Sequence, residues 1–327
     1  MLPKEKTALA VALGQLLSLC ITGTSTASSA LWTHYHISIP FTQNFCNYLL
    51  LGSVYTLMAT KTRSPSQSIS WEFFGFSFAD VHANALAVLA FKRTSVLSAL
   101  VLSSWSIPCI MLLSAFFLNA KYSKVHIQSA TVCLLGLGLL IWADTMDNEE
   151  STMNHSWIGD IICLFSATLY AISNVTEEHL VQHYTSNEFL GKTGCWGSLL
   201  CGIQVLLFEL DHLRTMSWSW PVLGLVLMYV LCLFCMYSLV PTVYRMAGAA
   251  FLSMSLITSN FYSLIVGLLF LNAKMPSFYP IAYALVIASV ATYSLAPSPL
   301  SVEHQHPDEE SDPMLDDNSK RSLPTYT

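Results

Sequence analysis

The sequence predicts an all-α membrane protein in which ten transmembrane helices form two inverted five-helix repeats. Three observations support this fold class: the composition, the number of long apolar segments, and a motif that occurs in both halves. The 327 residues are 54% hydrophobic and only 10% charged, and the mean hydropathy is +0.53. Because about a quarter of the residues in an average soluble domain are charged, this composition favours a chain surrounded mostly by lipid.

Ten segments are apolar over a length that suits a membrane span, which is roughly 20 residues for a helix. Turn or charge signals separate them. The first segment follows Lys4 and Lys6 and ends near the small residues 27–30, so it also resembles a cleavable signal peptide. Cleavage would leave nine spans and break the repeat, so we expect an uncleaved first helix. The ten windows are 7–30, 40–60, 71–91, 95–118, 125–142, 157–180, 188–208, 219–240, 246–270 and 277–296.

A short motif occurs once in each half of the chain. The sequence Leu-Asn-Ala-Lys stands at 118–121 and again at 271–274. At the same offset, the apolar runs 95–118 and 248–271 coincide. Each half then holds an odd number of helices, so the second half enters the membrane in the opposite orientation. Inverted repeats of this kind are typical of transporters that hold the substrate near the middle of the bilayer.

The positions of the basic residues favour an N-terminus in the cytosol. With that orientation, ten of the 14 Lys and Arg residues face the cytosol. The sequon that begins at Asn154 then lies outside the cytosol, which makes Asn154 a candidate glycosylation site. The resulting organisation is a cytosolic N-terminus (1–6), the first repeat (7–142), an extracytosolic acidic loop (143–156), the second repeat (157–296) and a disordered cytosolic tail (297–327).

Polar residues inside apolar windows are the candidates for a binding site, since ionisable groups are costly in a membrane. Asp80 lies near the middle of the third window, and Asn84 follows four residues later on the same helix face. One interpretation is a cavity-facing pair that contacts a solute or accepts a proton. The other is a structural carboxylate that hydroxyl groups of a neighbouring helix satisfy.

The sixth window carries a second group of candidates along one stripe of its helix. Tyr170 and Asn174 lie well inside the span, whereas Glu177 and Glu178 lie near its cytosolic end. The two glutamates either line the mouth of a cavity or are ordinary hydrated charges at the end of a helix. Both interpretations are compatible with the sequence.

The ninth and fourth windows add three further candidates. Asn260 and Tyr262 lie off a stripe of small residues in the ninth window, so they are candidates to line the cavity, whereas the stripe itself favours helix packing. Pro108 in the fourth window removes a backbone hydrogen bond and predicts a kink. Such a kink suits gating and is equally compatible with a static bend.

Several classes of function find no support in the sequence. All nine cysteines lie in apolar segments, and the pair Cys232 and Cys235 has no second pair, so neither a metal nor another cofactor is expected. There is no phosphate-binding loop for ATP hydrolysis and no catalytic set, so the chain is not expected to be an enzyme. The expected partners are a small-molecule solute and the lipid bilayer, not nucleic acid; a homodimer stays open.

Several segments resemble one known family. The stretches Leu2–Leu9 (LPKEKTAL), Ala79–Asn84 (ADVHAN), Tyr170–Val175 (YAISNV) and Phe234–Ser238 (FCMYS) are similar to solute carrier family 35, subfamily F. The resemblance covers about residues 2–296 and implies ten helices, cytosolic termini and alternating access. It also implies acidic residues where this chain has His82, Ser103 and Asn260, which would mean a changed substrate or lost transport.

The expected function is a secondary transporter of a small organic solute, such as a nucleotide-sugar-like or nucleoside-like metabolite. The alternative is a degenerate paralogue that does not transport and acts by binding partners, which the three missing carboxylates favour. The expected location is a membrane that the chain crosses several times. The sequence does not distinguish the plasma membrane from Golgi or endosomal membranes.

Overall fold

The computed structural model describes residues 4–61, 71–91, 102–147, 157–270 and 279–296, and within these ranges the chain is helical and contains no strand. The sequon at Asn154, the second copy of the repeated motif and the tail after Ala296 lie outside the described residues. The helices are α1 (Lys4–Tyr35), α2 (Pro40–Lys61), α3 (Trp71–Phe91), α4 (Ser106–Phe117), α5 (Lys124–Asp147), α6 (Trp157–His183), α7 (Ser186–Phe208), α8 (Leu210–Thr215), α9 (Trp220–Leu256), α10 (Ser259–Phe270) and α11 (Tyr279–Leu295).

Four helical segments in the described part of the chain are long and apolar enough to cross a membrane: Thr7–Tyr35, Trp71–Ala90, Ile158–His183 and Trp220–Ser263. Backbone groups inside a bilayer need internal hydrogen bonds, which an α-helix supplies. The other predicted windows also lie on helices, but these are shorter or more polar. The all-helical class is therefore confirmed, whereas the count of ten transmembrane helices stays a prediction.

Large apolar side chains cover the outside of the helix bundle. Phe116 is 81% exposed, Leu207 is 70% exposed and Trp220 is 87% exposed. A soluble monomer rarely exposes apolar patches of this extent. These side chains fit a surface that faces lipid.

The helix pairs follow a regular pattern. The most extensive pairs are α2 with α7, α1 with α9, α3 with α6 and α5 with α11; smaller ones join α3 with α7, α2 with α9, α4 with α6 and α1 with α10. Replacing each of the ten predicted windows by the window five places later, and continuing from the tenth back to the first, compares one half with the other. This replacement exchanges the α3–α6 pair with the α9–α1 pair. It also exchanges α4–α6 with α10–α1 and α3–α7 with α9–α2, and it leaves α2–α7 and α5–α11 unchanged. Eight of the larger pairs thus match between the two halves, whereas the α6–α9 pair has no counterpart of similar extent.

The first part of α9 runs antiparallel to α1. Val222, near the start of α9, belongs to the same small apolar cluster as Leu31, near the end of α1. Further along α9, the sulfur of Cys232 lies against Gly23. Residue numbers therefore rise along α9 while they fall along α1.

The chain reverses direction at Gly248, where φ is 81° and ψ is 171°. After this break, Ser255 lies against Gly14, and Thr22 donates a hydrogen bond of 3.2 Å to the carbonyl oxygen of Ser259. Residue numbers now rise together along both helices. The boundary between the eighth and ninth windows is therefore at Gly248, a few residues after the predicted break at 241–245.

The prediction that 246–270 is one continuous helix is wrong. The chain turns again at Ile257 and Thr258, between α9 and α10. The hydroxyl of Thr258 donates a hydrogen bond of 2.6 Å to the carbonyl oxygen of Ser255. Side-chain hydrogen bonds of this kind compete with the backbone ladder of a helix.

Glycines allow α2 and α7 to cross in close contact. A Cβ atom on Gly194 would fall on the backbone nitrogen of Gly52. A Cβ atom on Gly197 would meet the ring of Tyr48. Small residues let membrane helices approach backbone to backbone, so this crossing holds a helix of the first half against a helix of the second.

Candidate functional site

Polar side chains from four helices meet around Asp80, which is only 7% exposed. The hydroxyl groups of Tyr48 on α2 and of Tyr237 on α9 both donate to Oδ2 of Asp80, the second at 2.8 Å. Ser173 on α6 donates to Oδ1 at 3.3 Å. Two of the four helices belong to the first predicted repeat and two to the second. We call these four residues the Asp80 cluster.

Small residues on α3 allow α6 to approach the cluster. Ala79 and Ala83 flank Asp80 and are buried. Ser166 on α6 donates a hydrogen bond of 2.8 Å to the carbonyl oxygen of Ala83. The close approach of the two helices brings Ser173, two turns further along α6, within reach of Asp80.

Asn84 and Tyr170 extend this network by one helical turn. The hydroxyl of Tyr170 donates to Oδ1 of Asn84 at 2.5 Å, and Nδ2 of Asn84 donates to the backbone oxygen of Asp80 at 2.9 Å. The structure therefore brings together three of the sequence-predicted candidates. Whether they bind a solute stays a prediction.

The next turn of α6 carries Asn174, whose Oδ1 accepts a hydrogen bond of 3.0 Å from the buried Tyr244. Glu177 lies four residues after Ser173 and is 5% exposed. Its Oε1 atom has no hydrogen-bond partner among the described residues. Residues four apart share a helix face, so Glu177 continues the face of α6 that binds Asp80.

Glu177 and Glu178 are not hydrated helix-end charges, which corrects one of the two interpretations of the sequence. Both are buried, and α6 continues beyond them to His183. The end of α6 is covered by Arg245, whose guanidinium donates to the carbonyl oxygens of Val181 at 2.7 Å and Tyr184 at 2.8 Å. A cation is favourable at the C-terminus of a helix because the exposed carbonyl groups carry partial negative charge.

Glu178 stabilises the break in α9. Its Oε2 atom accepts a hydrogen bond of 2.9 Å from the backbone nitrogen of Ala249, the first residue after Gly248. A carboxylate is favourable at the start of a helical segment, where backbone N–H groups lack partners. A Cβ atom on Gly248 would lie 3.0 Å from Oε1 of the same carboxylate. Glycine is therefore suited to this position by both its conformation and its size.

Tyr262, a candidate from the ninth window, contacts α1 and not the Asp80 cluster. The hydroxyl of Tyr262 donates to Oε1 of Gln15 on α1 at 2.8 Å. The hydroxyl oxygen of Thr258 lies 3.1 Å from the same oxygen. Tyr262 thus contacts α1, and the side chain of Asn260 lies outside the described part of the structure.

Pro108 is the third residue of α4 and follows a turn at Ser104 and Trp105. Proline lacks the N–H that would bond the carbonyl of Ser104. The N–H of Ile107 donates to that carbonyl at 3.1 Å instead, in a tighter i→i+3 pattern. The irregular backbone lies where the sequence predicts a kink, and a role in gating stays a prediction.

A cavity of about 1050 Å³ lies between α3, α6 and α7, on the side of α3 away from Asp80. His82 lines it and stacks on Phe78, with ring centroids 4.0 Å apart. Its other walls are mainly aliphatic and aromatic, with Gln204 and Glu209 among the polar exceptions. No residue of the Asp80 cluster lines this cavity.

The sequence analysis missed Tyr48, Tyr237 and Tyr244, which supply hydroxyl groups to the candidates on α3 and α6. Tyr48 and Tyr237 lie in apolar windows and Tyr244 in the short break after the eighth window, where a tyrosine is unremarkable by itself. One signal was present in the sequence: three polar residues, Asn44, Asn47 and Tyr48, interrupt the second apolar window within five positions.

Comparison with known proteins gives consistent results. The SLC35F family model, described as "Solute carrier family 35", matches residues 4–295. Solute carrier family 35 member F2 of Mus musculus is 36% identical over 295 residues, which is 88% of this chain and 79% of that protein. The Xenopus tropicalis protein of the same name is 31% identical over 87% of this chain and 76% of its own length.

Two further matches extend the comparison. An uncharacterised solute carrier family 35 member of Schizosaccharomyces pombe is 33% identical over 86% of this chain and 56% of its own length. One chain of known crystal structure matches with a TM-score of 0.68 over 88% of this chain and 98% of that chain. Its sequence identity is 17%, so this likeness concerns the fold alone.

The apolar helices and the buried polar cluster between them define a multi-pass membrane protein of the solute-carrier class. The chain belongs to solute carrier family 35, within the subfamily F group, because the family model covers nearly its whole length. The resemblance seen in the sequence is thereby confirmed.

Proposed function

We propose that this protein is a secondary transporter of a small organic solute and works by alternating access. The observation that carries the proposal is the Asp80 cluster, in which two helices from each half meet around one buried carboxylate. Transporters with inverted repeats hold their substrate at such a place, near the middle of the membrane and between the halves.

The matching helix pairs support an architecture of ten helices in two inverted five-helix repeats. Eight of the pairs are exchanged or left unchanged when each window is moved forward by five. Two copies that pack alike in opposite orientations provide two related conformations, one open to each side. Rocking one copy against the other interconverts such conformations.

In this proposal, the contacts between the halves are the ones that change during transport. The hydroxyl of Tyr237 on α9 and that of Ser173 on α6 reach Asp80 across the interface between the halves. The hydroxyl of Tyr170 reaches Asn84 in the same way. A solute that enters from either side replaces some of these hydrogen bonds, so it need not leave the carboxylate unsatisfied.

Flux through reconstituted protein tests this proposal. Purified full-length chain in liposomes should show saturable uptake of at least one solute in a broad panel that includes nucleosides, nucleotide sugars and amines. Asp80→Asn should reduce that uptake at least tenfold, whereas Asp211→Asn, at an exposed position in α8, should leave it unchanged. Absence of saturable flux across the panel, with protein that is folded and correctly inserted, would contradict transport.

A further inference from the structure

Three buried carboxylates on α3 and α6, those of Asp80, Glu177 and Glu178, receive no hydrogen bond from a cation among the described contacts. Asp80 is bound by hydroxyl groups, and Glu178 is bound by a backbone N–H. Glu177 is buried, and its Oε1 atom has no partner among the described residues. A buried carboxylate is costly unless a cation or enough hydrogen-bond donors satisfy it.

The nearby basic side chains are engaged at the cytosolic ends of the helices. Lys192 pairs with Glu188 at 2.7 Å. The guanidinium of Arg245 binds the backbone carbonyls of Val181 and Tyr184. The guanidinium of Arg245 is thus directed at the end of α6 and away from the face that carries Ser173 and Glu177.

Asn47 is a second and independent indication of a missing partner. It is fully buried, and neither its Oδ1 nor its Nδ2 atom has a hydrogen-bond partner among the described residues. One turn later on α2, Leu51 belongs to the central apolar core together with Phe76 and Val240. One turn earlier, Asn44 accepts a hydrogen bond from Tyr229 on α9. Asn47 therefore faces the bundle interior, beside the Asp80 cluster.

These unsatisfied groups select the chemistry of a ligand. Glu177 needs a hydrogen-bond donor and a positive charge, and Asn47 needs a donor and an acceptor. A protonated amine offers both charge and N–H donors, a quaternary ammonium offers charge alone, and a phosphate adds like charge to the carboxylates. The rings of Tyr48 and Tyr237, 5.6 Å apart at their centroids, are suited to an organic cation.

We propose that the solute is a protonated organic amine whose ammonium group binds Glu177 and Asp80, while Asn47 binds its polar remainder. This inference rests on the proposed transport function and names its substrate class. The amine enters the interior between α2, α3, α6 and α9. Nucleotide sugars, which carry phosphate groups, are disfavoured at this site.

Matched ligand sets of different charge test the proposal on detergent-purified, full-length protein. One set is 5′-amino-5′-deoxyadenosine, adenosine and adenosine monophosphate; the other is tyramine, tyrosol and 4-hydroxyphenylacetate. In at least one set we expect the amine to bind at least about tenfold more tightly than its neutral and anionic counterparts, as measured by ligand-induced thermal stabilisation. Binding of no amine, or equal binding of the neutral members, would overturn the proposal.

Variants of Glu177 show whether this carboxylate supplies the charge preference. Glu177→Gln, which keeps the shape of the side chain, should remove the preference for the amine, and Glu177→Asp should retain it with weaker affinity. Asp211→Asn, at an exposed position in α8, should behave as the wild type. A preference that survives Glu177→Gln would overturn the assignment of this residue. Size-exclusion chromatography of each variant checks that it is folded.

Flux measurements separate this proposal from the proposed function. If neutral nucleosides accumulate in liposomes and amines do not, transport stands and the amine proposal is overturned. If amines bind in a Glu177-dependent way but no solute crosses the membrane, the site stands and the transport proposal is overturned. If Glu177→Gln keeps amine binding but removes the pH dependence of flux, Glu177 carries a proton and its assignment as a ligand of the ammonium group is overturned.

Discussion

Asp80 receives hydroxyl groups from three helices other than its own. The hydroxyl groups of Tyr48 and Tyr237 share the Oδ2 atom of Asp80, and their own oxygens lie 3.0 Å apart. A buried donor that loses its acceptor costs more than the original hydrogen bond contributes. The carboxylate therefore stabilises the contact between the two halves even when no solute is bound.

Replacement of Tyr237 by phenylalanine tests this contribution. The change removes one hydroxyl from Asp80 and keeps the ring, so we expect the free energy of unfolding to fall by about 1–2 kcal/mol. Denaturant unfolding of purified protein measures the change. Tyr35→Phe, at an exposed ring, is the matched control and should stay within about 0.5 kcal/mol of the wild type. Equal stability of Tyr237→Phe and the control would show that the hydroxyl contributes nothing.

At the scale of residues, the sequence predicted the acidic member of the cluster but not its partners. Asp80 is conspicuous because a carboxylate is rare in an apolar window. Tyr48 lies 32 residues before it and Tyr237 lies 157 residues after it, and no spacing rule connects such distant positions. The partners depend on how α2 and α9 pack on α3, which the sequence of a single chain does not reveal.

The reversal in α9 depends on one glycine and one carboxylate. The φ and ψ values of Gly248 lie in a region that is essentially restricted to glycine. The Glu178 carboxylate binds the segment that follows, and Arg245, three residues before the break, binds the end of α6. Each of the two helices thus supplies a side chain that stabilises the other helix at a terminus or a break.

Gly248→Ala should destabilise the protein by about 1–3 kcal/mol, because alanine is strained in this conformation and its Cβ approaches Glu178. Gly224→Ala in the same helix is the control. Apart from its chain neighbours and the adjacent backbone of its own helix, nothing lies within 4 Å of a Cβ atom at position 224, and alanine favours a helix over glycine by up to about 1 kcal/mol. Thermal unfolding of the two variants compares them. A Gly248→Ala protein as stable as the wild type would contradict the strained reversal.

At the scale of helices, the sequence placed the boundary near Pro241, whereas the chain continues as a helix through Pro241 to the break at Gly248. A proline interrupts one backbone hydrogen bond, and neighbouring helices can satisfy the freed group in a membrane. A glycine, unlike a proline, does not signal a helix boundary in a hydropathy pattern. The positive φ value depends on the carboxylate of a distant helix, so it could not be read from the local sequence.

The composition of the chain predicted its all-helical membrane class because charge content and apolar length are properties of the sequence itself. The number of membrane spans does not follow from composition in the same way. Only four helical segments in the described ranges are long and apolar enough to cross a membrane on these criteria. The apolar helix α4 is shorter than a membrane span, and part of its predicted window, 95–101, lies outside the described residues.

The side of the membrane on which each segment lies tests the whole arrangement. Five crossings in each half would place both ends of the chain on one side and the 148–156 segment on the other. In sealed microsomes, added protease should remove epitope tags at the N-terminus and after Thr327 and spare a tag inserted after Glu150. Detergent should make the inserted tag accessible, which is the control for sealing. Protection of all three tags, or of none, would contradict the odd number of crossings.

The sequence positions of Glu178 and Ala249, which share a hydrogen bond, also imply an order of folding steps during biosynthesis. The two residues are 71 positions apart. At synthesis rates of 5–20 residues per second, roughly 4–14 s separate their emergence from the ribosome. The carboxylate on α6 therefore enters the nascent protein before the segment it caps, so the final reversal of α9 forms against a helix that is already in place.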